Sequence, residues 1–207
     1  MKVFKLTNSN GHTRNYTQWG KNITHETNGE GELCGPGWLH FYYSAELAVL
    51  LNPLHVTFDH PILWECKAGP IQKNDRGLKG GTTKLTTIRR IKLPRYTPTQ
   101  KVAFAIFCAL KVTKSEAFKT WAKKWLNGED RSVKSAREVY PAWQNPGVRG
   151  AMVRAFDAAC ARTARQKACY ISRDVAYAAQ SAACGVASAG GSCSFLQRCA
   201  LKAKKIK

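Results

Sequence analysis

The rhythm of apolar and polar positions changes near Pro98. Before it, apolar residues come in short runs alternating with polar ones, the period-two pattern of strands. Residues 2–7, 38–42, 61–67 and 83–93 read as strands on this basis. In the last, Leu85, Ile88, Ile91 and Leu93 are the anchors, and Arg89, Arg90 and Lys92 are left for an outer face. Residues 44–51 read as a short helix with Ser44 as N-cap and Glu46 in the first turn, stopped by Asn52-Pro53. Gly29, Gly31, Gly35, Gly37, Gly77, Gly80 and Gly81 punctuate loops.

Beyond Pro98 the period becomes helical. Thr99 can cap a helix over 100–112, where Val102, Phe104, Ala105, Ile106, Cys108 and Ala109 leave almost no polar face, so this helix should be buried. Ser115 caps the next. Its Phe118, Trp121, Ala122 and Trp125 fall at i, i+3, i+4 and i+7, with Lys119, Lys123 and Lys124 largely off that stripe, and Asn127-Gly128 supplies a left-handed stop. A further helix runs from Ser132 to near Pro141, and Asn145-Pro146-Gly147 is a turn. Residues 148–189 are Ala-rich and should form two or three closely approaching helices. After Gly190-Gly191, residues 194–205 form a last helix with Phe195, Leu196, Cys199 and Ala200 inward. The tail from Arg198 carries five basic residues and no acidic one, and is expected to be frayed and solvated. The fold class is therefore α+β: a small mixed strand-rich unit (1–98) packed on an Ala-rich, helical, basic unit (99–207).

Charge sharpens the picture. The 207 residues carry 33 Lys+Arg against 13 Asp+Glu, a net charge of +20. Residues 1–100 have 13 basic and 7 acidic side chains, and residues 101–207 have 20 and 6. Such a field attracts polyanions, and nucleic acid is the partner class it points to, through phosphate contacts. Arg89, Arg90, Lys92 and Arg95, with Lys84, form one candidate group on a strand and its exit. Lys119, Lys123, Lys124 and Arg131 form a second. Arg149, Arg154, Arg162 and Arg165 form a third, the last three on adjoining faces of one helix. No sequence-reading motif accompanies them, so binding should be electrostatic and salt-sensitive. No apolar run approaches the roughly 18 residues that cross a bilayer, so no membrane partner is expected. The eight Cys have mostly apolar neighbours and read as small buried hydrophobes, with a C-terminal disulfide or two as the alternative.

Candidate chemistry lies in the first 60 residues, which hold all five His: His12, His25, His40, His55 and His60. Histidine is the commonest acid–base residue and metal ligand near neutral pH. A metal site could be drawn from His25, His40, Cys34 and Asp59, but the spacing matches no zinc pattern and C-x-x-C is absent, so neither metal nor cofactor is expected. His25-Glu26, with Glu30 and Glu32, could supply a base and its orienting acid; the catalytic candidates are His25, Glu26, His40 and Glu65. Neighbours on a strand face opposite ways, so His25 and Glu26 converge only on a loop. Cys34, beside Gly35-Pro36-Gly37, is the most plausible reactive thiol.

Several stretches resemble an uncharacterised family of phage and bacterial proteins: Trp19-Gly20-Lys21-Asn22-Ile23-Thr24-His25-Glu26, Leu33-Cys34-Gly35-Pro36-Gly37-Trp38-Leu39-His40, Asn52-Pro53-Leu54-His55, Leu63-Trp64-Glu65, Gly77-Leu78-Lys79 and Trp125-Leu126-Asn127-Gly128-Glu129-Asp130-Arg131-Ser132. The resemblance covers roughly residues 1–135 and brings no activity or catalytic residues. It implies a phage or prophage accessory protein, a class that host take-over or counter-defence would fit. Gly37-Trp38-Leu39-His40-Phe41-Tyr42-Tyr43-Ser44-Ala45-Glu46-Leu47-Ala48, followed by Leu63-Trp64-Glu65-Cys66-Lys67-Ala68-Gly69, also looks like the strand-then-helix signature of ADP-ribosyltransferase-like folds. It departs from that pattern because no Glu follows on a late strand.

The reading is a basic accessory protein that binds nucleic acid or a host nucleoprotein complex. The alternatives are an enzyme on the His-rich half, of ADP-ribosyltransferase or nuclease type, and a module that binds an acidic protein. The opening residues read as a strand and not a signal peptide, so the expected location is the host cytoplasm, not secreted, with the Asn15 and Asn22 triplets unglycosylated.

Overall fold

The computed structural model describes residues 1–139, 146–163, 168–189 and 194–207; the side chains at 71–72, 146–149, 161–163 and 168–170 are outside that description. The fold is α+β, with strands N-terminal and helices C-terminal. The chain divides into two compact units, Met1–Pro94 and Arg95–Lys207. The division places Tyr96 and Thr97 with the helices that they contact.

The first unit has seven strands among its described elements: β1 (Lys2–Thr7), β2 (Thr24–Glu26), β3 (Leu39–Phe41), β4 (Ile62–Ala68), β5 (Ile71–Asp75), β6 (Lys79–Thr82) and β7 (Lys84–Ile91). Two short helices, α1 (Ala45–Leu50) and α2 (Asn52–His55), lie between β3 and β4. One antiparallel sheet has the order β1-β4-β7-β2 and the other β3-β6-β5. Phe4 and Tyr42 join them by a bridge, Phe4 N donating to Tyr42 O (2.9 Å) and Tyr42 N to Phe4 O (2.7 Å). The bridge protects the β1 edge from pairing elsewhere.

Cross-strand register fixes which side chains share the inner face. Val3 lies opposite Cys66, Lys5 opposite Trp64, and Ala68 opposite Leu85. Val3, Trp64, Cys66, Ala68 and Leu85 pack with Trp19, Leu39 and Phe41 into one core. A bulge between Glu65 and Cys66 pairs Glu65 with Arg89 and Cys66 with Thr87, leaving Ile88 as the extra residue, 38 % exposed. Ser44 caps α1 as the sequence indicates, its Oγ accepting from Leu47 N at 3.2 Å.

Strands β2, β5 and β6 are additions to the expected set. β6 contains Gly80-Gly81, which read as loop punctuation. A Cβ at Gly80 would lie 2.6 Å from Phe41 Cε2 and 2.8 Å from the Tyr43 hydroxyl, so bare backbone lets those rings close over the strand.

The second unit contains α3 (Pro98–Ala109), α4 (Glu116–Asn127), α5 (Val133–Glu138), α6 (Pro146–Thr163), α7 (Ala168–Ser188) and α8 (Phe195–Ala203). α3 is central, with Val102, Ala103, Phe104, Ala105, Ile106, Cys108 and Ala109 fully buried and α6, α7 and α8 packed around it. Its cap is Thr97, not Thr99. Thr97 Oγ1 accepts from Gln100 N and Gln100 Oε1 accepts from Thr97 N, both at 3.1 Å, a reciprocal capping box with Pro98 in the first turn.

Helix α4 is capped by Ser115 and stops at Gly128 (φ 82°), where a left-handed residue ends the helix at no side-chain cost. Its Phe118 meets Phe156 of α6 edge to face and its Trp121 meets the same ring at a tilt, with ring centroids 5.3 and 4.6 Å apart. α6 and α7 present buried alanines, and a Cβ at Gly150 would stand 2.9 Å from Ser181 Oγ, so small residues do permit the close approach.

The tail departs from expectation. Ala200 and Ala203 are fully buried. Tyr96 Oη donates to Ala200 O (3.3 Å), and Gln100 Nε2 donates to Lys204 O (3.0 Å) and Ile206 O (3.3 Å). The last turn and the residues after it are docked on the start of α3, because orphan carbonyls at a helix end need donors and Gln100 supplies them.

Candidate nucleic-acid interface

The catalytic candidates do not meet in one constellation. His25 sits on β2, its ring edge-on to Trp19 at 4.6 Å, and its Nε2–H donates to Gln18 O at 2.7 Å. Glu26, its strand neighbour, faces the other way and pairs with Lys84 at 2.6 Å. Glu65 on β4 accepts from Lys2 (3.0 Å) and Arg89 (3.1 Å), and these two cations hold its carboxyl below the usual range. His40 on β3 donates from Nε2 to Leu33 O, and burial lowers its pKa, the nearby Lys79 and Lys5 acting in the same direction.

A different set of polar groups surrounds His40. Lys5, only 6 % exposed, donates from Nζ to His40 O at 3.0 Å and lies 4.5 Å from the Trp19 ring centroid. Burial pulls its pKa down to about 8. His55 bonds through Nδ1 to the Tyr42 hydroxyl (3.1 Å), and burial, with Lys79 nearby, pulls it to about 4, so it is neutral at pH 7. Lys79 Nζ donates to Cys34 Sγ at 3.3 Å. Sequence reasoning missed Lys5, although strand alternation places it on the same face as Val3. Among the described residues no group of three or more His, Cys, Asp or Glu is arranged to hold a metal ion.

The three predicted basic groups fare differently. Arg89 and Arg90 are both exposed, but adjacent positions on β7 send them to opposite faces, and Arg89 is paired with Glu65. Lys92 and Arg95 are exposed just beyond β7. On α4, Lys123 and Lys124 are exposed; Lys119 pairs with Glu116 at 2.7 Å, and the Arg131 guanidinium donates to Trp125 O and lies over the Trp125 ring. Arg154 does not extend an open stripe. It binds Asp174 of α7 at 3.1 Å, lies 3.9 Å from Asp157, and stands over the Tyr177 ring. The side chains of Arg149 and Arg162 fall outside the described residues, and so does the whole of Arg165.

Among the described residues of the second unit, α8 presents a basic face. Its buried positions are Phe195, Leu196, Cys199, Ala200 and Ala203, and Arg198 and Lys202, four residues apart, are exposed on the other side. Lys111, just past α3, joins them: Lys111, Lys202 and Arg198 all stand close enough to the Cys199 thiol to lower its pKa, which the hydrogen bond from Cys108 already depresses. Lys204, Lys205 and Lys207 follow in the docked tail, all exposed. Asp174 is the last acidic residue in the sequence, so α8 and the tail contain no carboxylate side chain to offset this charge. The missed signal was the inward stripe of α8, which continues through Ala203 and so fixes the cations around it.

No helix among the described residues is long and apolar enough to cross a membrane. The chain matches no protein-family model, no curated protein and no solved structure.

Proposed function

We propose that the protein binds nucleic acid mainly through phosphates, with the α8 face as the principal contact. One observation carries this reading: Arg198 and Lys202 are exposed four residues apart on a docked helix, Lys111 just past α3 acts with them on the Cys199 thiol, and the tail that follows adds three lysines and no acidic side chain. Like charges four residues apart on a helix cost about 0.2–0.5 kcal/mol, and a polyanion relieves that repulsion. Fixed cations also give up less conformational freedom on binding than a frayed tail would. Cations in the last turn of α8 favour the helix dipole as well, so part of the charge serves the helix itself.

The enzyme alternative has less behind it, because His25, Glu26, His40 and Glu65 are each engaged with separate partners. A role in host take-over or counter-defence rests on the phage-family resemblance. An acidic protein remains the competing partner for the same face.

The test is binding of labelled single- and double-stranded DNA and RNA to the full chain at two salt concentrations. About five phosphate contacts predict a roughly 10²–10³-fold loss of affinity between about 50 and 200 mM salt. An absence of binding at the lower salt overturns the proposal, and capture of a single acidic protein in its place favours the competing partner.

A further inference from the structure

The loop between β1 and β2 holds an aromatic ring in water on a rigid support. Tyr16 is 91 % exposed, whereas the other exposed large apolar side chains among the described residues reach at most 55 %. Asn15 (φ 56°) and Tyr16 (φ 53°) both adopt the left-handed region, which is sterically unfavourable for residues other than glycine and most of all for bulky ones. Folding therefore gains no burial from this ring and meets a steric penalty to present it.

The surrounding loop fixes that conformation. Thr13 N donates to Thr17 O (3.0 Å), and Thr17 donates to Arg14 O from both its N (3.4 Å) and its Oγ1 (3.1 Å), so the Arg14–Tyr16 turn is closed at its base. The buried Trp19 anchors the turn, its Nε1 donating to Thr13 Oγ1 at 3.0 Å and its backbone N to Gly11 O at 2.8 Å. Asn8 Oδ1 accepts from the backbone N of Asn10 (3.0 Å) and of His12 (2.9 Å). His25 supports the other side through Gln18 O and the Trp19 ring. Arg14 is exposed two residues from Tyr16, and the segment from Asn8 to His25 contains Arg14 and Lys21 but no acidic residue.

A solvent-facing aromatic on a closed turn, two residues from an exposed arginine, is suited to stacking unpaired bases. Every base offers a π face, so the contact tolerates any sequence, while duplex bases are already stacked on each other. We infer that the Arg14–Tyr16 turn is a stacking contact for an unpaired base of single-stranded nucleic acid, with Tyr16 supplying the ring and Arg14 a charge for the adjoining phosphate. The inference rests on the phosphate-binding reading above and adds to it a preference for unpaired strands.

Four probes of about 12 nucleotides separate the two ideas: oligo-dT, oligo-rU, an abasic oligomer with the same phosphates and no bases, and a duplex. The expected result at about 50 mM salt is that oligo-dT or oligo-rU binds roughly 5–100-fold tighter than the abasic strand. Whichever of the two binds more tightly identifies DNA or RNA as the better source of the base. Tyr16→Ala should abolish that preference and leave abasic and duplex affinities unchanged, and Tyr16→Phe should keep it. Equal binding of based and abasic strands by the parent chain, or an equal loss on all probes in Tyr16→Ala, overturns the stacking contact while leaving phosphate binding intact. Failure of all four probes to bind overturns the phosphate reading and the stacking contact with it.

Discussion

Arg154 of α6 and Asp174 of α7 meet at 3.1 Å, and this pair ties together the two longest described helices of the second unit. Asp174 is 8 % exposed, so its carboxylate depends on the guanidinium for compensation. Arg154→Ala should destabilise the protein by about 1–3 kcal/mol, since it leaves a mostly buried charge without that partner. Chemical denaturation measures the loss. Because the arginine is already engaged, the same variant should change nucleic-acid affinity little at temperatures where it stays folded.

Gln100 has two separate tasks: it completes the capping box with Thr97 and holds the carbonyls of Lys204 and Ile206. Gln100→Ala should cost about 1 kcal/mol through the cap and its lost hydrogen bonds. Its second effect is local. Amide exchange and proteolytic cleavage should accelerate in the residues after Ala203, whereas Thr99→Ala, at the residue first expected to cap the helix, should leave both unchanged.

Lys5 makes stability depend on alkaline pH with a defined sign. Its folded pKa of about 8 lies below its ordinary value of 10.5 because burial disfavours the ammonium. Between these values the unfolded chain binds more protons, so this residue makes stability rise with pH from about 8 upward. Cys66, pushed up to about 12 by burial, acts in the opposite direction above its ordinary value of 9. The rise should therefore be cleanest between about pH 8 and 9 and flatten beyond. Lys5→Met should remove it in denaturation curves measured across that range; an unaltered slope would show that Lys5 is not the source.

How far the sequence foretold this arrangement depended on where the partner of each residue lay. β1 and the Phe118–Trp121–Trp125 stripe of α4 were legible because their signals are local and periodic. The Ser44 and Ser115 caps were legible for the same reason, since each bonds an amide three residues on. β2 was not, because Thr24-His25-Glu26 contains no apolar anchor and is a strand only by pairing with β7. β6 was hidden by Gly80-Gly81, whose purpose appears only when Phe41 and Tyr43 stand against them. Helix geometry alone placed Arg154 on an open stripe, since Asp174 approaches from another helix. The docked tail was equally invisible, because Gln100 and Lys204 are 104 positions apart.

The proposed phosphate-binding role of α8 can be read from the salt dependence of single-stranded DNA binding by the parent chain and by Arg198→Ala/Lys202→Ala/Lys205→Ala. Each lost phosphate contact should reduce the steepness of log affinity against log salt by about 0.7, so the triple variant should lose about 2 from that slope and bind weakly even at about 50 mM salt. Lys114→Ala/Lys123→Ala/Lys124→Ala, at three exposed lysines elsewhere, serves as the charge-matched comparison and should change the slope less. An unchanged slope in the α8 variant, or a parent chain that does not bind at low salt, means that α8 is not a phosphate-binding face.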